Sequence, residues 1–264
     1  MEASNESAAA TAVVRWQDRT REELGTLLPE AVVVLPVGAT EQHGPHLATA
    51  TDALLAQTVA SEAVVRATEQ GCSRPLVLAP TLPFGASDHH LPFGGTISLS
   101  VETLLAVLLD VASSVARCGG RRLVLVNGHG GNRGICSAAA AAAATRNPDL
   151  TVAYLDYWTL LTEDRDDVPG HAGAFETSLA LAVDPDLVSE RHQRDAVPRA
   201  PAVDGVEIAS VAQWLHIDGY TDSPEQATEA EGRRLLDILT DALAGRLREL
   251  ADSMVPRSTR PAGF

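Results

Sequence analysis

The stretch AVVVLPVGATEQHGPHLATATD, residues 31–52, contains the pattern that decides the fold. Its first part, residues 31–38, is apolar on both faces, which predicts a strand covered by helices on each side. The chain then becomes polar, turns at Gly44 and Pro45, and reaches Asp52 just before a helical pattern. A strand, a polar loop and a helix in this order predict an α/β sheet with a ligand site at the carboxyl end of the strand.

The same alternation of strand and helix runs along most of the chain. Apolar strand patterns occupy residues 31–38, 75–83, 121–128 and 150–158. Helical patterns follow nearly every strand, including an alanine-rich helix at 137–145 and an amphipathic helix at 227–250. We therefore predict an α/β fold, a layered α/β/α domain with a mainly parallel sheet.

Two residues are predicted to cap the helices that they precede. Asp52 stands before the helical pattern of residues 53–68, and Ser100 before that of residues 101–118. Their short polar side chains can accept hydrogen bonds from the first free N–H groups of a helix. Gly119 then follows the second helix, as expected for a residue that ends one.

Length and composition favour one domain over residues 1–264. With 264 residues and 45% hydrophobic content, the chain can bury a large core. Residues 1–12 and 253–264 are predicted to be loose tails, and residues 191–205 a long surface loop.

Charge and cysteine content argue against several classes of partner. The formal net charge of −15 repels nucleic acid and anionic membrane surfaces, so neither is expected as a partner. Cys72, Cys118 and Cys136 are widely spaced, which predicts neither a disulfide framework nor a cysteine zinc site. The acidic start and the lack of a long apolar stretch predict a soluble cytoplasmic protein.

The loop after the first strand carries four side chains that can bind metal. Glu41 and His43 are two residues apart, so in an extended segment they point to the same side. Asp52 returns at the start of the next helix and can join them. The alternative is that Asp52 only caps, Glu41 is solvated, and His43 and His46 are ordinary loop histidines.

Two further loops carry residues of the same kind. In NGHGGN, His129 directly follows an apolar strand, and the motif lacks the lysine ending of a phosphate loop, so nucleotide binding is a weak alternative. In PGHAGAFETS, His171 and Glu176 lie at the entrance to another helix. Glu176 can instead be a first-turn residue that complements the helix dipole, and His171 a structural histidine.

Together these loops offer two imidazoles and three carboxylates as ligands: Glu41, His43, Asp52, His129 and Glu176. Such a mixed set suits two divalent ions, either zinc, manganese or iron(II). The charges of three carboxylates, two divalent ions and one bridging hydroxide sum to zero. Because such a centre can polarise a carbonyl and hold a hydroxide at neutral pH, the predicted chemistry is hydrolysis.

Five motifs occur in a fixed order over roughly residues 30–240: GATEQHGPHL…TD, FGASDHHLPFGGTISLS, NGHGGN, GHAGAFETS and DGYTDSPEQATEAEGRRLL. In order and spacing they resemble the creatininase family of metal-dependent amidohydrolases. Five ordered motifs are specific where one alone is weak. The resemblance implies an α/β fold with a parallel sheet, a two-metal site and a homohexamer or other homo-oligomer.

The resemblance also implies a role for each ligand. Asp52 corresponds to the residue that bridges the ions, Glu41 and His129 to ligands of one ion, and His43 to a ligand of the other. Creatininase itself completes the second site with a glutamate two residues after the histidine, where this chain has Gly131. We therefore expect Glu176 to replace that ligand, and creatinine is in doubt as the substrate. A further difference is HLATATD, where relatives commonly have a pattern like HLPLxTD.

The mechanism expected from this resemblance is attack of a metal-activated hydroxide on an amide carbonyl. His171 is predicted to deliver a proton to the departing nitrogen as general acid. Glu176 is predicted to be a catalytic residue as well as a metal ligand. His89 and His90, beside Asp88, are candidates for substrate contact, with a role as solvated loop residues as their alternative. Trp158 is a further candidate for the pocket wall, with a place in the core as its alternative.

The motifs leave the substrate open. Relatives hydrolyse a cyclic ureide-like ring, a formamide, or the C-terminal end of the mycofactocin precursor peptide. The expected function is hydrolysis of a C–N amide bond in a small amide or short peptide, with the mycofactocin precursor-peptide peptidase as the alternative within the family. A non-catalytic metal-binding relative is the alternative of another class.

Overall fold

The computed structural model describes residues 13–163, 165, 168–193, 203, 206 and 208–254 of the chain. No helix in these ranges is both long and apolar enough to cross a bilayer. The tails predicted at 1–12 and 253–264 lie outside the described residues, except that Ser253 ends the last helix and Met254 follows it. Most of the loop predicted at 191–205 also lies outside them.

Five strands form one parallel sheet in the described part of the chain. They are β1 (Val14–Arg15), β2 (Val32–Val37), β3 (Leu76–Leu78), β4 (Arg122–Asn127) and β5 (Thr151–Asp156), in the order β1-β3-β2-β4-β5. Every pairing is parallel, so the predicted sheet is confirmed. β3 is shorter than its predicted range because Pro80 and Pro83 cannot donate to a ladder. β1 was not predicted, since two residues carry too little pattern.

Seven α-helices surround the sheet in the described ranges. They are α1 (Arg21–Leu27), α2 (Thr51–Glu69), α3 (Val101–Arg117), α4 (Arg133–Arg146), α5 (Ala174–Val183), α6 (Val211–His216) and α7 (Glu229–Ser253). The helices predicted at 137–145 and 227–250 correspond to α4 and most of α7.

The sheet has one apolar core on each face. Val32 and Val34 point to the side that α2, α5 and α7 cover. The alternating residues Val33 and Leu35 point to the side covered by α1, α3 and α4. The predicted α/β/α layers are therefore confirmed.

The two predicted caps have different outcomes. Ser100 caps α3 through a hydrogen bond from the backbone N–H of Thr103 at 3.2 Å, and Gly119 follows the helix with a φ of 93°. The prediction that Asp52 caps α2 is wrong, because Ala50 holds the cap position without a side-chain bond. Asp52 lies inside the first turn, and its carboxylate points to histidines instead.

The amide of Asn132 joins the segments that follow three neighbouring strands. Its Nδ2 donates to the carbonyl of Gly38 after β2, and its Oδ1 accepts from the N–H of Ala86 after β3, both at 3.0 Å. Asn132 itself follows β4 and is fully buried. A buried amide with both ends paired fixes the spacing of these three segments at the carboxyl edge of the sheet.

Candidate active site

The structure brings all five predicted ligands together at the carboxyl edge of the sheet. Their side chains are buried, and two imidazoles outside the set, His90 and His171, lie among them. Among the residues that the structure describes, four overlapping groups of three have ligand atoms within 4.8 Å of one another; together they contain the five predicted ligands and also His89, His90 and His171. We call these eight residues the carboxylate–imidazole cluster.

Asp52 lies at the centre of this cluster. Its Oδ1 is 3.0 Å from Nε2 of His43, and its Oδ2 is 3.1 Å from Nδ1 of His129. Nδ1 of His129 is also 3.2 Å from Oε1 of Glu41. Two atoms bound to the same zinc ion are about 3 Å or slightly more apart, given metal–ligand distances near 2 Å. One carboxylate between two imidazoles is therefore in the position of a bridging ligand.

Backbone carbonyls orient both imidazoles toward the carboxylates. Nδ1 of His43 lies 3.1 Å from the carbonyl oxygen of Glu41, and Nε2 of His129 lies 3.2 Å from that of Ala86. Because a carbonyl only accepts, each of these nitrogens carries the proton. The other nitrogen of each ring then faces carboxylate oxygens, as in the outer contacts of metal-bound histidines.

The cluster has the electrostatics of a cation site. Both oxygens of Glu41 and Oδ2 of Asp52 are buried, and among the described residues not even the nearby imidazole of His129 gives them a well-aligned hydrogen bond. Burial alone would raise the pKa of Asp52, but His43 and His129 hold it far below its usual range. Burial would likewise lower the pKa of His43, yet Asp52, Glu176 and Glu41 raise it to about 10. Positive charge stabilises this centre, and the residues present fit divalent metal.

Glu176 reaches the cluster from the first turn of α5. Its Oε2 is 3.9 Å from Nε2 of His43 and accepts a hydrogen bond from the N–H of Ala172 at 2.5 Å. Burial raises its pKa to about 8. The start of α5 is held by Asp222, from the last of the five motifs, which accepts from the N–H of Ala174 at 2.7 Å.

His171 is held against the backbone of the first metal-binding loop. Its Nε2 is 2.9 Å from the carbonyl oxygen of Gln42, and its Nδ1 is 3.6 Å from Oε1 of Glu41. Burial, followed by the nearby charge of His43, lowers the pKa of His171 well below its usual value. A neutral His171 therefore presents its Nδ1 lone pair to the cluster.

The substrate-contact candidates have different positions. His90 is buried beside His171, with ring centroids 4.2 Å apart, and half-buried His89 stacks at 5.8 Å on His129. Asp88 is exposed and accepts a hydrogen bond from Ser98. Trp158 lies in the apolar core beside Tyr157, so the structure does not bring it to the cluster.

Two residues that the sequence did not indicate contribute to the cluster. Trp214 of α6 lies 4.7 Å from the ring of His90 and 5.4 Å from that of His171, in edge-on contacts. Gln42 contacts both histidines through its side-chain amide. Gln42 could have been found from the sequence, because it lies between the predicted ligands Glu41 and His43. Nothing in the sequence around Trp214 indicates that it lies beside these histidines.

Two surface cavities of about 320 Å³ each lie away from the cluster, near the amino ends of the strands. Neither is lined by a residue of the carboxylate–imidazole cluster. The convergence of buried ionisable groups therefore identifies the candidate reactive region of this protein.

A family model and individual relatives of known name both match this chain. A family model described as "Creatininase: Creatinine amidohydrolase" matches residues 17–247. The "Mycofactocin precursor peptide peptidase" of Mycobacterium tuberculosis is 35% identical over 226 residues, 81% of this chain and 84% of that protein. The "Creatinine amidohydrolase" of Pseudomonas putida is 30% identical over 245 residues, 83% of this chain and 90% of that protein.

The fold agrees with these sequence matches. A solved structure described as "Creatininase Mn" superposes with a TM-score of 0.77 at 28% identity, covering 90% of this chain and 98% of that one. The family model matches most of the chain, and the two relatives and the shared fold agree with it. The chain therefore belongs to the creatininase family.

Proposed function

We propose that this member of the creatininase family hydrolyses a C–N amide bond with two divalent metal ions bound in the cluster. The observation that carries the proposal is the position of Asp52, with one carboxylate oxygen facing His43 and the other facing His129. Glu41 and His129 would hold one ion, His43 and Glu176 the other, and Asp52 both. Bound there, zinc, manganese or iron(II) would polarise a carbonyl and lower the pKa of water.

His171 is proposed to transfer the proton that hydrolysis requires. Its Nε2–H is engaged by the carbonyl of Gln42, so Nδ1 is the atom free to take a proton from the attacking water. The same atom then delivers that proton to the departing nitrogen as general acid. The burial of the surrounding carboxylates and imidazoles excludes bulk water and strengthens each charge interaction.

A short peptide is the second candidate substrate, beside a small amide. One relative is named a precursor peptide peptidase and another a creatinine amidohydrolase. At Gly131 an added β-carbon would meet Ala86 and His129 closer than normal contact, so the glutamate expected in creatininase itself has no room. A site completed by Glu176 instead would differ from that of creatininase itself, which counts against creatinine as the substrate.

The test is metal content, measured by elemental mass spectrometry on protein purified without chelator. We expect about two divalent ions per chain, and their loss in Asp52→Asn, because a bridging ligand serves both ions. Asp110→Asn is the matched control, since Asp110 is exposed on α3. Full metal content in Asp52→Asn would contradict the proposed site.

The loaded protein would then be tested for hydrolysis of creatinine, N-formyl amides and short peptides, with products identified by mass spectrometry. Opening of the creatinine ring by one water molecule, or release of an amine and an acid from a formamide or a peptide, supports amide hydrolysis. A protein that retains its metal but leaves every amide intact would instead be a non-catalytic metal-binding relative. A homo-oligomer and a cytoplasmic location stay predictions.

A further inference from the structure

The side-chain amide of Gln42 has a single orientation. Its Oε1 accepts a hydrogen bond from the N–H of Gly44 at 2.9 Å, and its Nε2 donates to the carbonyl of Gly219 at 2.7 Å. Backbone groups have fixed polarity, so these two contacts distinguish the oxygen of the amide from its nitrogen. Nε2 is therefore a donor with two hydrogens, of which one goes to Gly219 and the other to Nδ1 of His90 at 2.7 Å. Nε2 of His171 is farther away, at 3.2 Å, and donates to the backbone carbonyl of Gln42 instead.

This orientation determines which nitrogen of His90 carries the proton. Nδ1 of His90 is 2.7 Å from Nε2 of Gln42 and has to accept, because that nitrogen offers only hydrogens. A neutral imidazole that accepts at Nδ1 is protonated at Nε2. The Nε2–H of His90 faces Glu41, 3.6 Å from its Oε1, which is longer than a hydrogen bond.

His171 has the opposite polarity toward the same carboxylate. The backbone carbonyl of Gln42 accepts from its Nε2, so its Nδ1 faces Glu41 as a lone pair, also at 3.6 Å. The two rings are stacked with an interplanar angle of 16°. Gln42 thus makes one imidazole a donor and its neighbour an acceptor, side by side at the cluster.

We propose that His90 is a catalytic hydrogen-bond donor whose Nε2–H binds the amide oxygen of the substrate as it gains negative charge. Gln42 is the positioning residue that maintains this tautomer. The inference rests on the proposed function and specifies the role of one of its residues. A donor already fixed in a buried site stabilises developing charge without reorganisation. His90 is accordingly not a metal ligand, since a ligand nitrogen carries no proton.

The tautomer is tested directly by nuclear magnetic resonance on zinc-loaded protein labelled with ¹⁵N-histidine. Long-range ¹H–¹⁵N correlations distinguish protonated from unprotonated ring nitrogens, and the spectrum of His90→Ala assigns the signals of His90. We expect the proton on Nε2, and a shift of its resonance when acetohydroxamate is added, because this amide analogue offers an anionic oxygen. A proton on Nδ1, or no response to saturating acetohydroxamate, overturns the proposal.

Two variants separate the donor from its positioning residue. In Gln42→Met, the His90 proton should distribute over both nitrogens, whereas Gln57→Met, changed on α2 outside the cluster, should leave it on Nε2. In His90→Ala, zinc content should stay at the wild-type level while kcat falls about 10²–10³-fold, with a smaller change in KM. Exposed His216→Ala is the control for this second variant. Loss of zinc or an unchanged kcat in His90→Ala contradicts the proposed role.

Failure of the inference and failure of the proposed function give different results. If the protein binds no metal or cleaves no amide, the proposed function fails. If it binds metal and cleaves an amide but His90 carries its proton on Nδ1, only the role of His90 fails. The resonance experiment reads the proton position in the wild-type protein, and His90→Ala serves only to assign the signals, so the result does not depend on the activity of any variant.

Discussion

A β-carbon on Gly131 would lie 2.5 Å from Nε2 of His129. It would also meet the carbonyl oxygen of Ala86, which accepts from that same nitrogen. The backbone of Ala86 lies on one side of this position and the ring of His129 on the other. Because no space is left between them, no side chain fits at position 131. The carboxylate that completes the second proposed metal site has to come from another segment, and Glu176 is the one that reaches His43.

Gly131→Ala should therefore disturb the site, although it adds a single methyl group. We expect it to lower the free energy of unfolding by about 1–3 kcal/mol and to reduce metal affinity, because His129 has to move. Gly130→Ala is the matched control, since nothing lies within 4 Å of its added β-carbon. Denaturant unfolding and a metal titration of both variants check this. Equal effects of the two would show that His129 is not held as described.

Glu176→Gln should remove one ion and leave the other. The amide keeps the shape of the side chain but loses the charge that faces His43, so zinc content should fall from about two per chain to about one. Glu102→Gln is the control, because Glu102 is also in the first turn of a helix but is exposed. Elemental analysis after dialysis against trace zinc is the measurement. Unchanged stoichiometry would remove Glu176 from the ligand set.

Trp214 and Trp158 should respond to substitution in different ways. Trp158→Ala opens a cavity in the core and should cost about 3–5 kcal/mol of stability. Trp214 is half-buried over His90 and His171, so Trp214→Ala should cost less stability and mainly raise KM. Thermal unfolding and steady-state kinetics on the substrate found by screening separate the two. If only Trp158→Ala raised KM, Trp158 and not Trp214 would be the tryptophan that affects substrate binding.

The packing of α7 on α5 should tolerate no side chain at Gly232. A β-carbon there would collide with the carbonyl oxygen of Ser178, two residues after Glu176. Gly232→Ala is thus expected to lower stability by about 1–3 kcal/mol and to weaken metal binding by displacing α5. Gly245→Ala, on the same helix with nothing within 4 Å, should instead stabilise the protein by about 0.5–1 kcal/mol. Denaturant unfolding should show a lower free energy of unfolding for Gly232→Ala and a higher one for Gly245→Ala.

The cysteines should differ in reactivity at mild alkaline pH. Burial, with a smaller contribution from Asp156, raises the pKa of the Cys136 thiol to about 12. Since the thiolate is the reactive form, Cys136 should resist iodoacetamide at pH 8 until the protein unfolds, whereas exposed Cys118 should react in the native state. Peptide mass spectrometry after timed labelling measures both. Rapid native labelling of Cys136 would show that its surroundings open.

The sequence predicted the parts of this molecule that depend on local pattern. The strands β2–β5 follow from runs of apolar residues, and the cap at Ser100 follows from one side chain and its neighbours. The cluster residues were found because each lies in a loop that follows a strand or at or near the start of a helix. Asp52, predicted as a ligand, was also predicted to cap α2 for the same local reason, and the cap prediction failed because its carboxylate lies against His43 and His129.

Contacts between distant segments could not be predicted from the sequence. Trp214 reaches His90 because α6 packs on the 3-10 helix Asp88–Phe93, and Gly219 accepts from Gln42 across 177 residues. No local pattern specifies such a pairing. Trp158 was a candidate because it follows a strand, yet its ring turns into the core, where its apolar surface is buried.

The buried amide of Asn132 has a consequence for how this protein can change over evolutionary time. It ties the segments after β2, β3 and β4 to each other, and those segments carry Glu41, His90 and His129. A substitution that shifts one of these segments therefore changes the effect of a later substitution in another. Adaptation to a new substrate should proceed by strongly non-additive combinations of changes, and the order in which they arise should determine which are tolerated.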